Sequence, residues 1–185
     1  MLSALPGSST RLDFQQPDLY LQMTSNNVTR LLDSRKIAYT AFDLPVEKLG
    51  ARQTARLLGV SPHIIYKTIV ILREKPGKPL LAVIPGDHQV DLKALAAYLG
   101  EKKVHLPTQR EAEQLTGLQA GGISPLALLH KGFQVILDSA AQTEQEIHIS
   151  GGQRGLNLRL PVKAIIELTH ARLAEISRPS ETDED

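Results

Sequence analysis

A chain of 185 residues, 42% of them hydrophobic, with 13 glycines and 11 prolines, suffices for one globular domain with a sizeable core. The absence of cysteine excludes disulfides, thiolate metal sites and a cysteine nucleophile, and suits a reducing cytosol. The net charge of +1 is uneven: residues 178–185 carry −3 and residues 1–23 carry −1, leaving a body of +5, too small an excess to mark a nucleic-acid binder by itself.

Residues 1–23 show no periodic apolar pattern and lack the basic and apolar regions of a secretory signal, so they read as a flexible N-terminal extension. Thr24-Ser25-Asn26 then reads as a helix N-cap region, and Val28, Leu31 and Leu32 form one stripe of a helix over 26–34. Residues 37–42 alternate as a strand does. Residues 53–58 form a short helix stopped at Gly59. The β-rich runs 67–72 and 80–84 flank the turn signal Glu74-Lys75-Pro76-Gly77-Lys78, which predicts a hairpin. A helix over 91–99 is capped by Asp91 and ended by Gly100. Short strands are expected at 104–106, 135–137, 147–149 and 157–160, with helices at 108–115 and 161–176. The domain spans 24–177, followed by an acidic C-terminal tail, 178–185. Strands outnumber any simple βαβ rhythm, so the expected class is α+β, a mixed, barrel-like sheet surrounded by helices. No apolar run approaches the roughly 20 residues a membrane helix needs, and a cytoplasmic protein without a membrane partner is expected.

Three features carry chemistry. Two loops contain glycine doublets, Gly121-Gly122-Ile123-Ser124-Pro125 and Ser150-Gly151-Gly152-Gln153-Arg154-Gly155, and Lys67 stands at the mouth of a β run. Paired glycines let peptide N–H groups approach a ligand, and a nearby cation helps hold a carbonyl or phosphate oxygen. Residues 53–67 also have the local look of a helix-turn-helix, which keeps a DNA-binding regulator open. Against it, Thr68-Ile69-Val70-Ile71-Leu72 follows at once, so a second helix would end before it read base edges. The six histidines show no metal-ligand spacing, and neither a metal nor a cofactor is expected. With 4% aromatics, extensive base stacking is not expected either.

Tyr66-Lys67-Thr68 entering a strand, Gly121 to Leu126, Asp138 after a strand, and Ser150 to Leu156 together resemble the YbaK/EbsC family of aminoacyl-tRNA deacylases, over nearly all of 24–177. The resemblance implies the editing-domain fold of bacterial prolyl-tRNA synthetases. It also implies trans-editing: cleavage of a mischarged aminoacyl-tRNA, chiefly Cys-tRNA(Pro), sometimes in complex with prolyl-tRNA synthetase. In this family the bound cysteine's thiol attacks its own ester, so the protein needs no cysteine. Lys67, Gly121 and Gly122 are then the expected catalytic residues, the lysine near the ester or a phosphate and the glycine N–H groups on the carbonyl oxygen. A solvent-facing lysine and a plain tight turn are the alternatives. Tyr66, Thr68, Ile123, Ser124, Pro125, Ser150, Gly151 and Gly152 are expected to line the substrate site. Asp138 either anchors the substrate's amino group or caps a turn, and Arg154 either meets a phosphate or is a surface charge. Relatives carry aromatic pocket residues before the 53–58 helix, whereas this chain reads Leu44-Pro45-Val46-Glu47-Lys48-Leu49-Gly50, which leaves alanine, serine or another small amino acid open as substrate. A non-catalytic tRNA-binding module is a further alternative.

Overall fold

The computed structural model describes residues 10–13 and 25–181. In chain order the elements are β1 (Thr10–Asp13), α1 (Asn27–Ser34), β2 (Thr40–Asp43), α2 (Ala51–Leu58), β3 (Tyr66–Arg73), β4 (Leu80–Pro85), β5 (His88–Val90), α3 (Leu92–Leu99), β6 (Val104–His105), α4 (Gln109–Thr116), β7 (Gln134–Asp138), β8 (Glu146–Ser150), β9 (Leu156–Pro161), α5 (Val162–Thr169), β10 (Arg172–Ala174) and β11 (Ser177–Pro179). Short 3-10 segments occupy Pro62–Ile64, Leu126–Lys131 and Ser139–Thr143.

The strands form a four-stranded sheet ordered β1-β2-β9-β8, a five-stranded sheet ordered β10-β7-β4-β3-β6, and the pair β11-β5. Both larger sheets are mixed: β1 runs parallel to β2, and β7 runs parallel to β4 and β10, while the remaining pairs are antiparallel. This is the expected mixed α+β class. Closure is another matter. Among the described residues the only backbone pairing that links the two sheets is a parallel bridge between Ile65 and His148, so no strand ladder completes a barrel.

β4 explains why the fold has two cores. All six of its residues are buried, and alternation sends Leu81 and Val83 to one face and Leu80, Ala82 and Ile84 to the other. The first face packs on Leu137, Ile147, Ile149, Leu158 and Leu160 between the sheets. The second is covered by α3 through Leu95 and by Ile176. A smaller cluster of Phe42, Ala55, Leu58 and Ile65 seats α2.

Several sequence expectations change. The helix expected over 161–176 stops at Thr169, where His170 turns left-handed at φ 52°, and the chain continues as β10 along β7. The first residues of the expected tail are paired: Arg178 and Pro179 pair with Gln89 and His88, and Ser180 N–H donates to Asp87 O at 2.9 Å, while 182–185 lie outside the described residues. Thr10–Asp13, expected within a flexible extension, pair with Thr40–Asp43, and the rest of that extension lies outside the described residues. The second helix of a helix-turn-helix is absent, because Pro62–Ile64 makes one 3-10 turn and the chain enters β3 directly. No helix among the described residues is long and apolar enough to cross a membrane.

Candidate functional site

A cavity of about 430 Å³ opens between β3, the segment 44–51, the start of α4 and the two glycine loops. Its size falls within the range of small-molecule sites. Six of the expected residues line it together: Tyr66, Lys67, Thr68, Gly121, Ile123 and Ser150. The lysine and both loops therefore share one cleft.

Lys67 is half-buried near the start of β3 and donates from Nζ to Gly86 O at 3.2 Å. Gly86 is a glycine because of close approach. A Cβ there would stand 2.6 Å from Ala51 Cβ, 2.8 Å from Pro62 O and 2.9 Å from Ile65 O. The 3-10 turn, the start of α2 and the anchor of Lys67 are thus pressed into one contact. Thr68, also lining the cavity, has a buried hydroxyl with no hydrogen-bond partner. Tyr66 is 2% exposed and its phenol lacks a partner. Burial first, then the negative charges of Asp138, Glu144 and Asp87, push its ionisation far above the ordinary range, so it stays neutral.

The Gly121 loop is held from two sides. Glu113 accepts from Ala120 N–H at 2.9 Å, and Arg154 Nε donates to Ala120 O at 2.7 Å. The Ala120 N–H first, and then Gln109, Arg154 and Lys48, hold the Glu113 carboxyl below its ordinary value. Gly122 N–H donates to Gln119 O at 2.8 Å, so it closes a turn and is not the free oxyanion donor expected from the doublet. The Gly121 N–H is the doublet's remaining candidate. Gly122 packs closely on the other loop: an added Cβ would meet Gln153 and Arg154 main-chain atoms at 3.0 Å, a contact that the loops would have to ease by a few tenths of an ångström. Across the chain, Asn26 caps α1 by accepting from Val28 and Thr29 N–H, each at 3.0 Å, and its Nδ2 donates to Gly151 O at 2.8 Å, which ties the second loop to the helix.

The other expected residues lie elsewhere. Pro125 lines a separate cavity of about 440 Å³ with Leu128, Phe133 and His170, and Gly152 lines a third with Asn26 and Gln153. Ser124 is fully buried with an unpartnered hydroxyl and, like Gly122, Asp138, Gly151 and Arg154, lines none of the three. Asp138 is 3% exposed and is spent on structure: it accepts from Ala140 N–H at 2.9 Å, Ile176 N–H at 3.1 Å and the Ser177 hydroxyl at 2.8 Å. It is a capping aspartate.

Sequence reasoning missed Lys48, Gln109 and Asn157, which also line the cavity. Lys48 Nζ donates to Gln109 Oε1 at 3.1 Å across the mouth, bringing a second cation to the site. The start of α4 was detectable from Thr108 and Glu111, whose reciprocal capping box fixes the helix N-terminus beside the cavity. The segment departing from the family pattern supplies Leu44, Glu47, Lys48, Leu49 and Gly50 to the wall. Tyr39 and Phe42 do not: the Tyr39 hydroxyl donates to Asp33, and Phe42 packs on His148 with centroids 5.3 Å apart. Tyr66 is the one aromatic among the lining residues, so the wall is aliphatic and polar.

Two lysines and the Gly121 loop thus meet at one cavity in a mixed α+β fold. A family model described as the aminoacyl-tRNA editing domain matches residues 47–168, and the chain belongs to that family. It is 36% identical over 82% of its length to EbsC of Enterococcus faecalis, a protein that carries the name of a Cys-tRNA(Pro)/Cys-tRNA(Cys) deacylase, covering 92% of it. It is 31% identical over 74% of its length to the proline–tRNA ligase of Thermodesulfovibrio yellowstonii, of which the match spans 23%. Among solved structures, hypothetical protein APE2540 superimposes with a TM-score of 0.75 at 25% identity, covering 83% of this chain and all of that one. A structure named as a trans-editing enzyme for prolyl tRNA synthetase shares the fold with a TM-score of 0.70 at 24% identity, covering 83% of this chain and 98% of its own.

Proposed function

We propose that this protein is a trans-editing aminoacyl-tRNA deacylase, acting on Cys-tRNA(Pro) in the cytoplasm, with prolyl-tRNA synthetase as its working partner. The observation that carries the reading is the convergence of Lys67, Gly121 and Ser150 on one cavity, in a chain of the editing-domain family. The cavity takes the 3′-terminal adenosine with its esterified amino acid. Lys67 and Lys48 offer positive charge to the terminal phosphate and ester oxygens, and the Gly121 N–H meets the oxygen that becomes negative as the carbonyl is attacked. The cysteine thiol supplies the nucleophile: its sulfur bonds to the carbonyl carbon, the ester C–O bond breaks, the ribose hydroxyl takes the proton, and a cyclic thiolactone leaves. Walls that are aliphatic and polar, with Tyr66 as the one aromatic, suit a small side chain. The domain proper is 24–177 with β11 attached, and the two sheets act as one barrel-like shell around the cleft.

The test is incubation with Cys-tRNA(Pro), Ala-tRNA(Pro), Ser-tRNA(Pro) and correctly charged Pro-tRNA(Pro), following loss of the ester. Fast loss from the cysteinyl ester, with the prolyl ester spared, supports the reading. Tight tRNA binding without ester loss from any of them identifies a non-catalytic module instead.

A further inference from the structure

Beside the Lys67 anchor but outside the cavity lining, three side chains converge that neither the family resemblance nor the proposed reaction uses. His63 sits in the 3-10 turn, Asp87 in the bend between β4 and β5, and His88 at the start of β5. One ligating atom from each lies within 4.8 Å of the others. His63 Nδ1 is 3.2 Å from Asp87 Oδ1, and His88 Nε2 is 3.9 Å from the same oxygen. The two rings meet edge-on at 67°, so they do not simply stack. The backbone under them is fixed: Gly86 N–H donates to Pro62 O at 3.2 Å, and Ser180 N–H to Asp87 O at 2.9 Å.

The tautomer of His88 follows from its other side. Ser177 Oγ lies 2.8 Å from Asp138 Oδ2, and a carboxylate only accepts, so the serine donates there. The same oxygen is 2.9 Å from His88 Nδ1, and having given its proton to Asp138 it accepts from Nδ1–H. Neutral His88 is therefore protonated on Nδ1, and its bare Nε2 lone pair faces the Asp87 carboxylate. Lone pair against carboxylate is repulsive unless a proton or a metal cation stands between them. The carboxylate–serine–histidine relay also has the form of the outer-shell support that orients histidine ligands.

We propose that His63, Asp87 and His88 form a binding site for a divalent transition metal of the zinc class, with Ser177 and Asp138 as positioning residues. Two imidazole nitrogens and one carboxylate oxygen suit zinc, with water as the fourth ligand. Bonds of about 2.0–2.1 Å at tetrahedral angles place ligand atoms about 3.3 Å apart. The His63–Asp87 separation already matches that spacing, the His88–Asp87 separation exceeds it by roughly half an ångström, and the two histidine nitrogens, within 4.8 Å of each other, close by up to about 1.5 Å through side-chain rotation. The side chains are 37%, 31% and 19% exposed, which leaves a path for the ion and its water. Binding would clamp the 3-10 turn, the β4–β5 bend and, through Ser177, the C-terminal strand β11 into one unit.

The test is calorimetric titration of the chelator-treated full chain with Zn²⁺, with Co²⁺ absorption as a report on four-coordinate geometry. One equivalent of Zn²⁺ is expected per chain, with a raised melting temperature. His63→Gln, Asp87→Asn and His88→Gln each weaken binding at least about tenfold, and Ser177→Ala weakens it about 10-fold or more while keeping the stoichiometry. His105→Gln, which removes a histidine paired with Glu74, leaves it unchanged. Unchanged metal-free melting of the variants shows that they fold. No saturable binding to the wild type, or binding that survives in the His63→Gln/His88→Gln double variant, overturns the proposal.

Discussion

Gly86→Ala places a methyl group where three neighbours already stand. Its Cβ would lie 2.6 Å from Ala51 Cβ, 2.8 Å from Pro62 O and 2.9 Å from Ile65 O, whereas ordinary contact begins at 3.4 Å. Two of those atoms are main-chain carbonyls, which cannot rotate aside, so the backbone must move by roughly half an ångström or more. Overpacking of this kind costs about 1–3 kcal/mol. Disturbing the Gly86–Pro62 hydrogen bond adds about 1 kcal/mol, for a total near 2–4 kcal/mol. For a domain of this size that lowers the melting temperature by on the order of 10 °C. The same shift displaces the carbonyl on which Lys67 Nζ rests, so ester cleavage should fall further than the loss of folded protein explains. Urea denaturation and single-turnover deacylation on the same preparation measure both effects. Adding Ala51→Gly removes the shortest contact and should recover part of the stability. A Gly86→Ala variant that melts within about 1 °C of wild type and cleaves normally would refute the packing argument and the anchoring role given to Gly86.

Three further outcomes are expected. Glu113→Gln and Arg154→Met should each slow ester cleavage several-fold, and the double variant should be little worse than either single one, because both hold the Ala120 peptide. If Arg154→Met instead flattens the salt dependence of tRNA binding, the arginine meets a phosphate and is not a loop brace. Burial, ahead of every other influence, pushes the His148 imidazole below its ordinary value of 6.5, so the unfolded chain binds its proton more readily. The stability this gives is complete above that ordinary value and is lost as pH falls below it toward the lowered folded value, with a slope approaching about 1.4 kcal/mol per pH unit. His148→Gln should flatten urea-derived stability across that window, and an unchanged slope would show that another group is responsible. Arg73→Met strands Glu101, whose side chain is 1% exposed, and should cost about 3–5 kcal/mol by urea denaturation, most of it recovered by adding Glu101→Leu.

Local signals were legible where structure is local. Asp91 and Gly100 bound α3 as their capping chemistry implies, and the Glu74–Lys78 turn joins the hairpin of β3 and β4. What the sequence hid depends on distant partners. The apolar rhythm after Val162 runs on past Thr169, but pairing with β7 turns Arg172–Ala174 into a strand, and pairing with β5 does the same for Ser177–Pro179. The site divides in the same way. Spaced motifs brought Lys67, Gly121 and Ser150 to one cavity, yet which loop N–H is free depended on a turn closed by Gln119, and Asp138 was claimed by Ala140, Ile176 and Ser177. Lys48, Glu113 and Asn157 look like any polar residues until the fold sets them at or behind the cavity wall. His63, Asp87 and His88 share no helical spacing and meet only because two turns hydrogen-bond to each other.

The central claim is that the Lys67 cavity is where an aminoacyl ester on tRNA is broken. Single-turnover cleavage of Cys-tRNA(Pro) by wild type and Lys67→Met, at saturating protein and with folding checked by urea denaturation, tests it most directly. The account predicts a rate loss of about 10²-fold or more at unchanged stability. Wild-type rates from a well-folded Lys67→Met protein would contradict it.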